Sequence, residues 1–442
     1  MKVMLQYAIA GEDARSIVES IEGEVREGRI PQGASLPTVR ALAATLKVSP
    51  TTVAAAYRML RTRGVLSAQG RRGTKVSARP PVAVRPAIVV RRGLRNLIQG
   101  SPDPLLLPDL RALAPKLTLR PRLYGEATNR PQLLALARGQ FAADHIPAAS
   151  LAIMGGALDA VERVLQAHVR PGDRVAVEDP GYSEIFDLLG ALGLIVEPVP
   201  IDDHGLRPDH LEQVLKSGAV ACILTPRAQN PTGAALDGQR VRELRKVFDE
   251  HGDVLVIEDD HAGPVAGVSA LTVCHPKKER WAVVRSVSKS LGPDLRLAVV
   301  AGDATTIARV EGRQSLGAGW VSHVLQEIVE VLWSDAAVTK KLQVAAETYS
   351  ARRSTLINAL KEHGIVAYGS SGLNVWIPVR EEGSIITSLS AAGWAVRGGE
   401  RYRIKSAPAI RVTIATLQSS EAVQLAEDIA RSLQPDQRTH SV

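Results

Sequence analysis

Hydrophobic positions in the first eighty residues fall at helical spacing three times over. Between Asp13 and Gly28 they are Ile17, Val18, Ile21 and Val25, three or four apart, and Gly28 ends the run. A turn from Pro31 to Thr38 leads to a second short helix predicted over 38–46. Ser49 is placed to cap a third helix, with Pro50 at its first position; this helix, about 50–63, carries Val53, Ala56, Tyr57 and Leu60 on one face before Gly64 closes it. Two short β segments, 65–68 and 74–77, flank Gln69-Gly-Arg-Arg-Gly73, which reads as a hairpin tip. Further along, apolar strand-like runs alternate with helical patterns. Arg174–Val177, Leu194–Val199, Ala219–Leu224, Val254–Ile257, Trp281–Val284 and Leu297–Val300 are the candidate strands, with helices around 157–169, 181–192, 207–217 and 237–251. That alternation predicts a doubly wound α/β domain, whose ligands sit at the C-terminal ends of its strands.

Three short helices followed by a basic two-stranded wing is the layout of a winged helix-turn-helix. Its second motif helix enters the major groove and its wing reaches the adjacent backbone. Charge points the same way. Residues 1–98 hold 17 Lys/Arg against 6 Asp/Glu, whereas the rest of the 442-residue chain is slightly acidic, and no acid occurs between Gly28 and Pro102. A polyanion partner for the N-terminal part alone follows. Prolines 80, 81 and 86 make 78–98 an extended linker. The expected division is 10–77 for the DNA-binding head, 78–98 for the linker and 99–435 for the body, with a large part at 145–310 and a small part at 311–435.

Composition narrows the setting. With 45% hydrophobic residues the chain can bury a substantial core, and length alone suggests two or three domains. Cys222 and Cys274 form no CxxC pair, which argues against a disulfide framework or a cysteine metal site and fits small buried hydrophobes in a reducing cytosol. No metal site is expected. The N-terminal apolar run meets charge at Glu12-Asp13, and no stretch reaches the ~18–20 apolar residues of a membrane span. A cytoplasmic protein is expected.

The chemistry concentrates at Ser286-Val-Ser-Lys-Ser-Leu-Gly-Pro-Asp-Leu-Arg296. A lysine, Lys289, stands between serines with an arginine seven residues on. A lysine amine captures an aldehyde, and a phosphate wants hydroxyls and a guanidinium beside it. Other polar residues cluster at strand ends: Thr225-Pro-Arg-Ala-Gln-Asn-Pro-Thr-Gly233 after one, Glu258-Asp-Asp-His261 closing another, and Gly155-Gly-Ala157 opening a helix whose free N–H groups suit a phosphate.

Two resemblances follow from these residues. Leu36-Pro-Thr-Val-Arg40, Leu42-Ala43, Val48-Ser49, Thr52-Val53, Ala56-Tyr57, Leu60, Gly64, Gly70 and Gly73-Thr74 resemble the GntR-family signature. By position in that motif, Thr38, Arg40, Ser49, Thr51 and Thr52 lie at or near DNA, Arg71 and Arg72 reach from the wing, and Arg58 and Arg61 meet phosphates; a plain N-cap for Ser49 and solvated charges for Arg40 and Arg61 are the alternatives. Pro50 stands where the family more often has a polar or basic residue.

From about residue 100 to 435 the chain resembles fold-type-I aminotransferases that use pyridoxal 5'-phosphate (PLP). The resemblance makes Lys289 the Schiff-base lysine, Asn230 the donor to the cofactor's phenolate oxygen, and Asp259, with Asp260 as alternative, the partner of its pyridine nitrogen. Gly156, Ala157, Ser286, Ser288 and Arg296 would hold the phosphate, and Tyr182 would stack on the ring or serve as a core tyrosine. Tyr124 would reach the partner subunit's phosphate. Arg411 would clamp a carboxylate, a surface arginine being the alternative. Two departures stand out: Leu158 replaces a usual polar residue, and His261 occupies the place of a tyrosine that donates to the phenolate.

GntR head, linker and aminotransferase-like body together resemble the MocR subfamily of bacterial regulators, and in their motifs the PtsJ-type members linked to vitamin B6 metabolism. The implied protein is a homodimeric regulator, head-to-tail with swapped heads. It would bind double-stranded operator DNA and sense PLP or its adduct with an amino compound. The alternative is an aminotransferase acting on amino acids. His261 weighs against efficient turnover, leaving at most half-transamination.

Overall fold

The computed structural model describes residues 7–27, 29–31, 33–62, 64–68, 73–77 and 90–433. It divides into two compact units. In the first, α1 (Ala14–Arg26) starts from a capping box. The Asp13 carboxylate accepts from the Ser16 backbone N–H, and the Ser16 hydroxyl accepts from that of Asp13. The Thr38 hydroxyl caps α2 (Val39–Leu46), which ends at Lys47 in the left-handed region. In α3 (Pro50–Thr62) Ser49 Oγ accepts from the backbone N–H of Thr52 at 3.0 Å.

The stripes read from the sequence face one another. Ile17, Val18 and Ile21 pack with Leu42, Val53, Ala56, Tyr57 and Leu60 in a single core, and Val25 lies at its edge. Leu66 of β1 (Leu66–Ala68) and Val76 of β2 (Thr74–Val76) add to it as antiparallel partners, which seals the wing onto the helices. Tyr57 Oη donates to the Pro37 carbonyl at 2.8 Å and ties α3 to the turn that leads into α2. The hairpin tip with Arg71 and Arg72 lies outside the described residues, as do positions 78–89 of the linker.

The second unit opens with β3 (Arg95–Asn96), inside the stretch read as linker. It pairs in parallel with Trp394–Ala395, Arg95 grips Glu421, and Leu97 is buried, so these residues are part of the small subdomain. After α4 (Pro131–Ala143) comes an eight-stranded sheet with its helices: β4 (Ser150–Met154), α5 (Ala157–His168), β5 (Arg174–Asp179), α6 (Ser183–Ala191), β6 (Ile195–Asp202), β7 (Gly205–Leu206), α7 (Pro208–Lys216), β8 (Ala219–Leu224), α8 (Gly238–Glu250), β9 (Leu255–Asp260), β10 (Trp281–Ser286) and β11 (Ala298–Gly302). The order is β4-β11-β10-β9-β8-β5-β6-β7.

Strands β5, β8, β9 and β10 run parallel and are buried on both faces, which explains their continuous apolar runs. The sheet is mixed, because β11 is antiparallel to both β10 and β4. The chain turns straight from β10 into β11 through the Lys289 segment, with no crossover helix that would keep the strands parallel.

Helices α9 (Ala304–Ser315), α10 (His323–Ser334) and α11 (Ala336–Glu362) lead to a small three-stranded sheet. It contains β12 (Asn374–Pro378), then, after α12 (Glu382–Ala391) and β13 (Trp394–Ala395), β14 (Arg397–Gly398) and β15 (Ala409–Thr413), in the order β12-β15-β14. The last helix, α13 (Ser419–Leu433), packs on α11. Among the described residues, no helix is long and apolar enough to cross a membrane.

Candidate functional site

In the first unit Thr38, Arg40, Ser49, Thr51, Arg58 and Arg61 are exposed and Thr52 is half-buried. Some of these hydroxyls already have work to do. Thr38 caps α2, and Ser49 caps α3 while its Oγ lies 2.8 Å from Thr52 Oγ1. Arg40, Arg58 and Arg61 have no ion-pair partner among the described residues, so their charge is open to an anion.

In the second unit the polar residues converge where the parallel strands end. Strand β10 delivers Ser286, Ser288 and Lys289, strand β9 delivers Asp259 to His261, strand β8 leads into 225–233, and strand β5 leads to Tyr182. Lys289 Nζ donates to the Gly100 carbonyl. Burial, reinforced by the Arg411 charge and opposed by Asp259 and Glu184, brings the Lys289 ammonium down to about 8. The amine is therefore partly neutral, and nucleophilic, in the physiological range.

Side chains alternate along β9, so Asp259 and Asp260 point to opposite faces. Asp260 accepts from Arg227 Nε and Nη2 at 2.8 and 2.9 Å and from Arg285 Nε at 2.8 Å. Burial alone would raise it, but the two guanidinium groups outweigh burial and hold it well below the usual carboxylate range. Asp259 has no such partner. Its Oδ1 is buried without a hydrogen bond, and burial, with Asp260 and Glu178 nearby, pushes it up to about 7.

The 225–233 loop is held from several sides. Gln229 Nε2 donates to Glu178 Oε2 and to the Pro180 carbonyl, while its Oε1 accepts from Thr232. Arg411 Nη1 donates to Asn230 Oδ1 at 2.8 Å, which leaves the Asn230 NH2 group available as a donor. Arg411 is buried over the Tyr402 ring at 4.9 Å, and Nη2 donates to the Ile98 carbonyl. It has no ion-pair partner among the described residues. A buried guanidinium in that state suits a ligand carboxylate.

At the opposite end, Gly156 caps α5 with φ +105, and a Cβ there would stand 3.0 Å from Arg296 Nη2. The free N–H groups of α5, including that of Ala157, and the Arg296 guanidinium therefore share one small space. Arg296 is exposed and has no hydrogen-bond partner among the described residues. Ser286 Oγ donates to Ser288 Oγ at 3.0 Å beside Lys289. Asp159 accepts from Gly155 N and pairs with Arg163.

Tyr182 is half-buried, and burial raises its hydroxyl. Tyr124 is 92% exposed and stands edge-on to Trp320 at 5.7 Å. His261 Nε2 lies 2.9 Å from the Ala228 carbonyl, and burial together with Lys289 brings the ring down to about 4, so it is neutral.

Sequence reasoning missed the carbonyls of Ile98 and Gly100, since backbone acceptors leave no residue-type signal and Ile98 falls in the stretch read as linker. It also missed Arg227 and Glu178. The adjacency of Arg227 to Asn230 and of Glu178 to the Pro180-Gly-Tyr182 turn was visible, but nothing local says that either is buried.

A winged helix-turn-helix head and an aminotransferase-fold body define a DNA-binding regulator with an aminotransferase-like site. The chain belongs to the MocR subfamily of GntR-type transcriptional regulators. Residues 13–76 match the bacterial regulatory proteins of the gntR family, and residues 111–429 match aminotransferase class I and II. The chain is 40% identical over 430 residues to the vitamin B6 salvage pathway transcriptional repressor PtsJ of Salmonella typhimurium, covering 96% of this chain and 99% of that protein. It is 29% identical to the regulator TauR of Rhodobacter capsulatus over 79% of each. A Pyrococcus horikoshii kynurenine aminotransferase shares the fold of the body, with a TM-score of 0.71 at 19% identity over 77% of this chain and 91% of that one.

Proposed function

We propose that the protein is a PLP-responsive transcriptional regulator whose body senses the cofactor and whose heads bind operator DNA in the cytoplasm. The observation that carries this reading is the buried, unpartnered Oδ1 of Asp259 beside a half-buried lysine amine. A pyridine N–H satisfies that oxygen and restores the Asp259 charge. The phosphate end supports the same ligand, since Gly156 leaves room beside Arg296 that a Cβ would fill.

When bound, PLP supplies an aldehyde for covalent capture by an amine and a cationic ring that withdraws electrons. Lys289 is the amine that attaches it. Asp259 holds the ring nitrogen, the Asn230 NH2 donates to the phenolate oxygen, and Tyr182 covers a ring face. Gly156, Ala157, Ser286, Ser288 and Arg296 hold the phosphate, with Tyr124 of the partner subunit. Arg411 would receive the carboxylate of an amino compound, whose amine would compete with Lys289 for the aldehyde carbon and leave the lysine amine free when it wins.

A homodimer with exchanged heads is the assembly we infer. Leu105, Leu123, Tyr124 and Leu316, each more than 70% exposed, support a face covered by a second copy. The resemblance to PtsJ supports vitamin B6 metabolism as the regulated chemistry. We read the site as a sensor without physiological turnover, capable of half-transamination. Reconstitution tests the reading. Wild type with PLP should develop a visible absorbance band that Lys289→Ala lacks, and absence of a band in wild type would refute it.

A further inference from the structure

The end of β9 and the Asn230 loop are joined at two successive residues on each side. Asp260 takes the side chain of Arg227 through two hydrogen bonds, and the next residue, His261, meets the carbonyl of the next loop residue, Ala228, at 2.9 Å. Arg227 also donates through Nη1 to the Val268 carbonyl. Ala228 itself is boxed in. Its φ is +55, its N–H donates to Ser371 Oγ at 2.7 Å, and a Cβ on Gly372 would come within 2.4 Å of its Cβ. Ala228, Ala262, Ala266 and Val268 pack around this junction.

The partner atom fixes the tautomer. A carbonyl oxygen only accepts, so Nε2 carries the proton, and in a neutral ring Nδ1 is then a bare acceptor. The imidazole has no second N–H to give. A tyrosine at this position would have offered a hydroxyl free to donate elsewhere.

We infer that His261 is a positioning residue: it holds the loop that presents Asn230 and does not donate to the cofactor's phenolate oxygen, which is left to Asn230. This rests on the reading that PLP is attached at Lys289. With one donor fewer, the phenolate oxygen is more basic and keeps the neighbouring proton on the Lys289 nitrogen to higher pH. An incoming amine attacks that protonated form most readily, which suits a site that reports the arrival of an amino compound.

The test is a pH titration of the visible band of the full-length, PLP-reconstituted protein, alongside PLP binding by equilibrium dialysis. His261→Phe, or the smaller His261→Leu should the first not fold, is expected to keep the titration midpoint within about 0.3 pH unit of wild type. The same change loosens the loop and weakens PLP binding about tenfold, while His261→Gln, whose amide again donates to Ala228, recovers it. Asn230→Ala, which removes a true phenolate donor, calibrates the shift by raising the midpoint. A midpoint raised in His261→Phe as in Asn230→Ala would overturn the inference, and so would PLP affinity that ignores the substitution. A wild-type protein with no visible band refutes the cofactor reading instead, so the two failures are distinct.

Discussion

Asp259 and Asp260 are neighbours on one strand with opposite fates: Arg227 and Arg285 grip Asp260, while the Oδ1 of Asp259 is buried against no donor. Asp259 is pushed up to about 7 from its ordinary 3.8. Below pH 4 its carboxyl is neutral both folded and unfolded. Between pH 4 and 7 only the unfolded chain ionises it, so the cofactor-free protein loses stability as pH rises through that window. Asp260 acts in the opposite sense, contributing stability above about pH 4 and losing it in acid. Asp259→Asn should therefore stabilise the cofactor-free protein at pH 7.5 by roughly 1–3 kcal/mol and abolish the rise in Tm that PLP gives wild type. Thermal unfolding at pH 4.5 and 7.5, with and without PLP, checks both; destabilisation at pH 7.5 would contradict the account.

Lys289 is brought down to about 8 by burial and by Arg411. The neutral amine attacks the aldehyde, so the rate of band formation should climb about tenfold per pH unit from 6 and level off above about 8. Arg411→Met removes the neighbouring positive charge and should move that bend to higher pH. Stopped-flow absorbance across pH 6–10 reads it directly, and a rate indifferent to pH would count against Lys289 as the attachment point.

Gly156 stands at the α5 N-terminus with positive φ, facing Arg296. Gly156→Ala adds a methyl group 3.0 Å from Arg296 Nη2, where the proposed site would hold the phosphate, and strains the backbone as well. The expected cost is about 1–3 kcal/mol in PLP binding, or a ten- to hundredfold weaker Kd, with circular dichroism unchanged. Unchanged affinity would move the phosphate elsewhere.

In the head, two polar roles separate experimentally. Arg40 is exposed and unpaired among the described residues, whereas Thr38 caps the start of α2. Arg40→Ala should weaken DNA binding without lowering Tm and reduce the slope of log affinity against log salt by about 1. Thr38→Ala should lower stability by about 1 kcal/mol, an effect that Thr38→Ser restores. Fluorescence anisotropy at several salt concentrations and thermal melts distinguish them.

Much of this molecule is legible in its sequence, for identifiable reasons. The head's stripes are strictly periodic, and Ile17, Val18, Ile21, Val53 and Leu60 all reach the core. The strand ends of the body are legible because buried parallel strands read as unbroken apolar runs. What stayed hidden depends on three-dimensional pairing. Asp259 and Asp260 are indistinguishable as letters, and only Arg227 and Arg285, 33 and 25 residues away, separate them. Arg95 and Ile98 read as linker, and Gly100 carries no signal, because their roles lie in backbone pairing with β13 and in carbonyls turned toward Arg411 and Lys289. His261 stands out as a departure, but its consequence depends on the Ala228 carbonyl, which no sequence displays.

The central claim is that what happens at Lys289 is felt at the DNA. The direct measurement is the affinity of the full-length protein for a fragment of the promoter beside its gene, with and without PLP, in wild type and in Lys289→Ala. Allosteric coupling of ordinary size predicts at least about a fivefold change with PLP in wild type and none in the variant. Equal affinity with and without PLP in wild type, or the same change in both proteins, would contradict it.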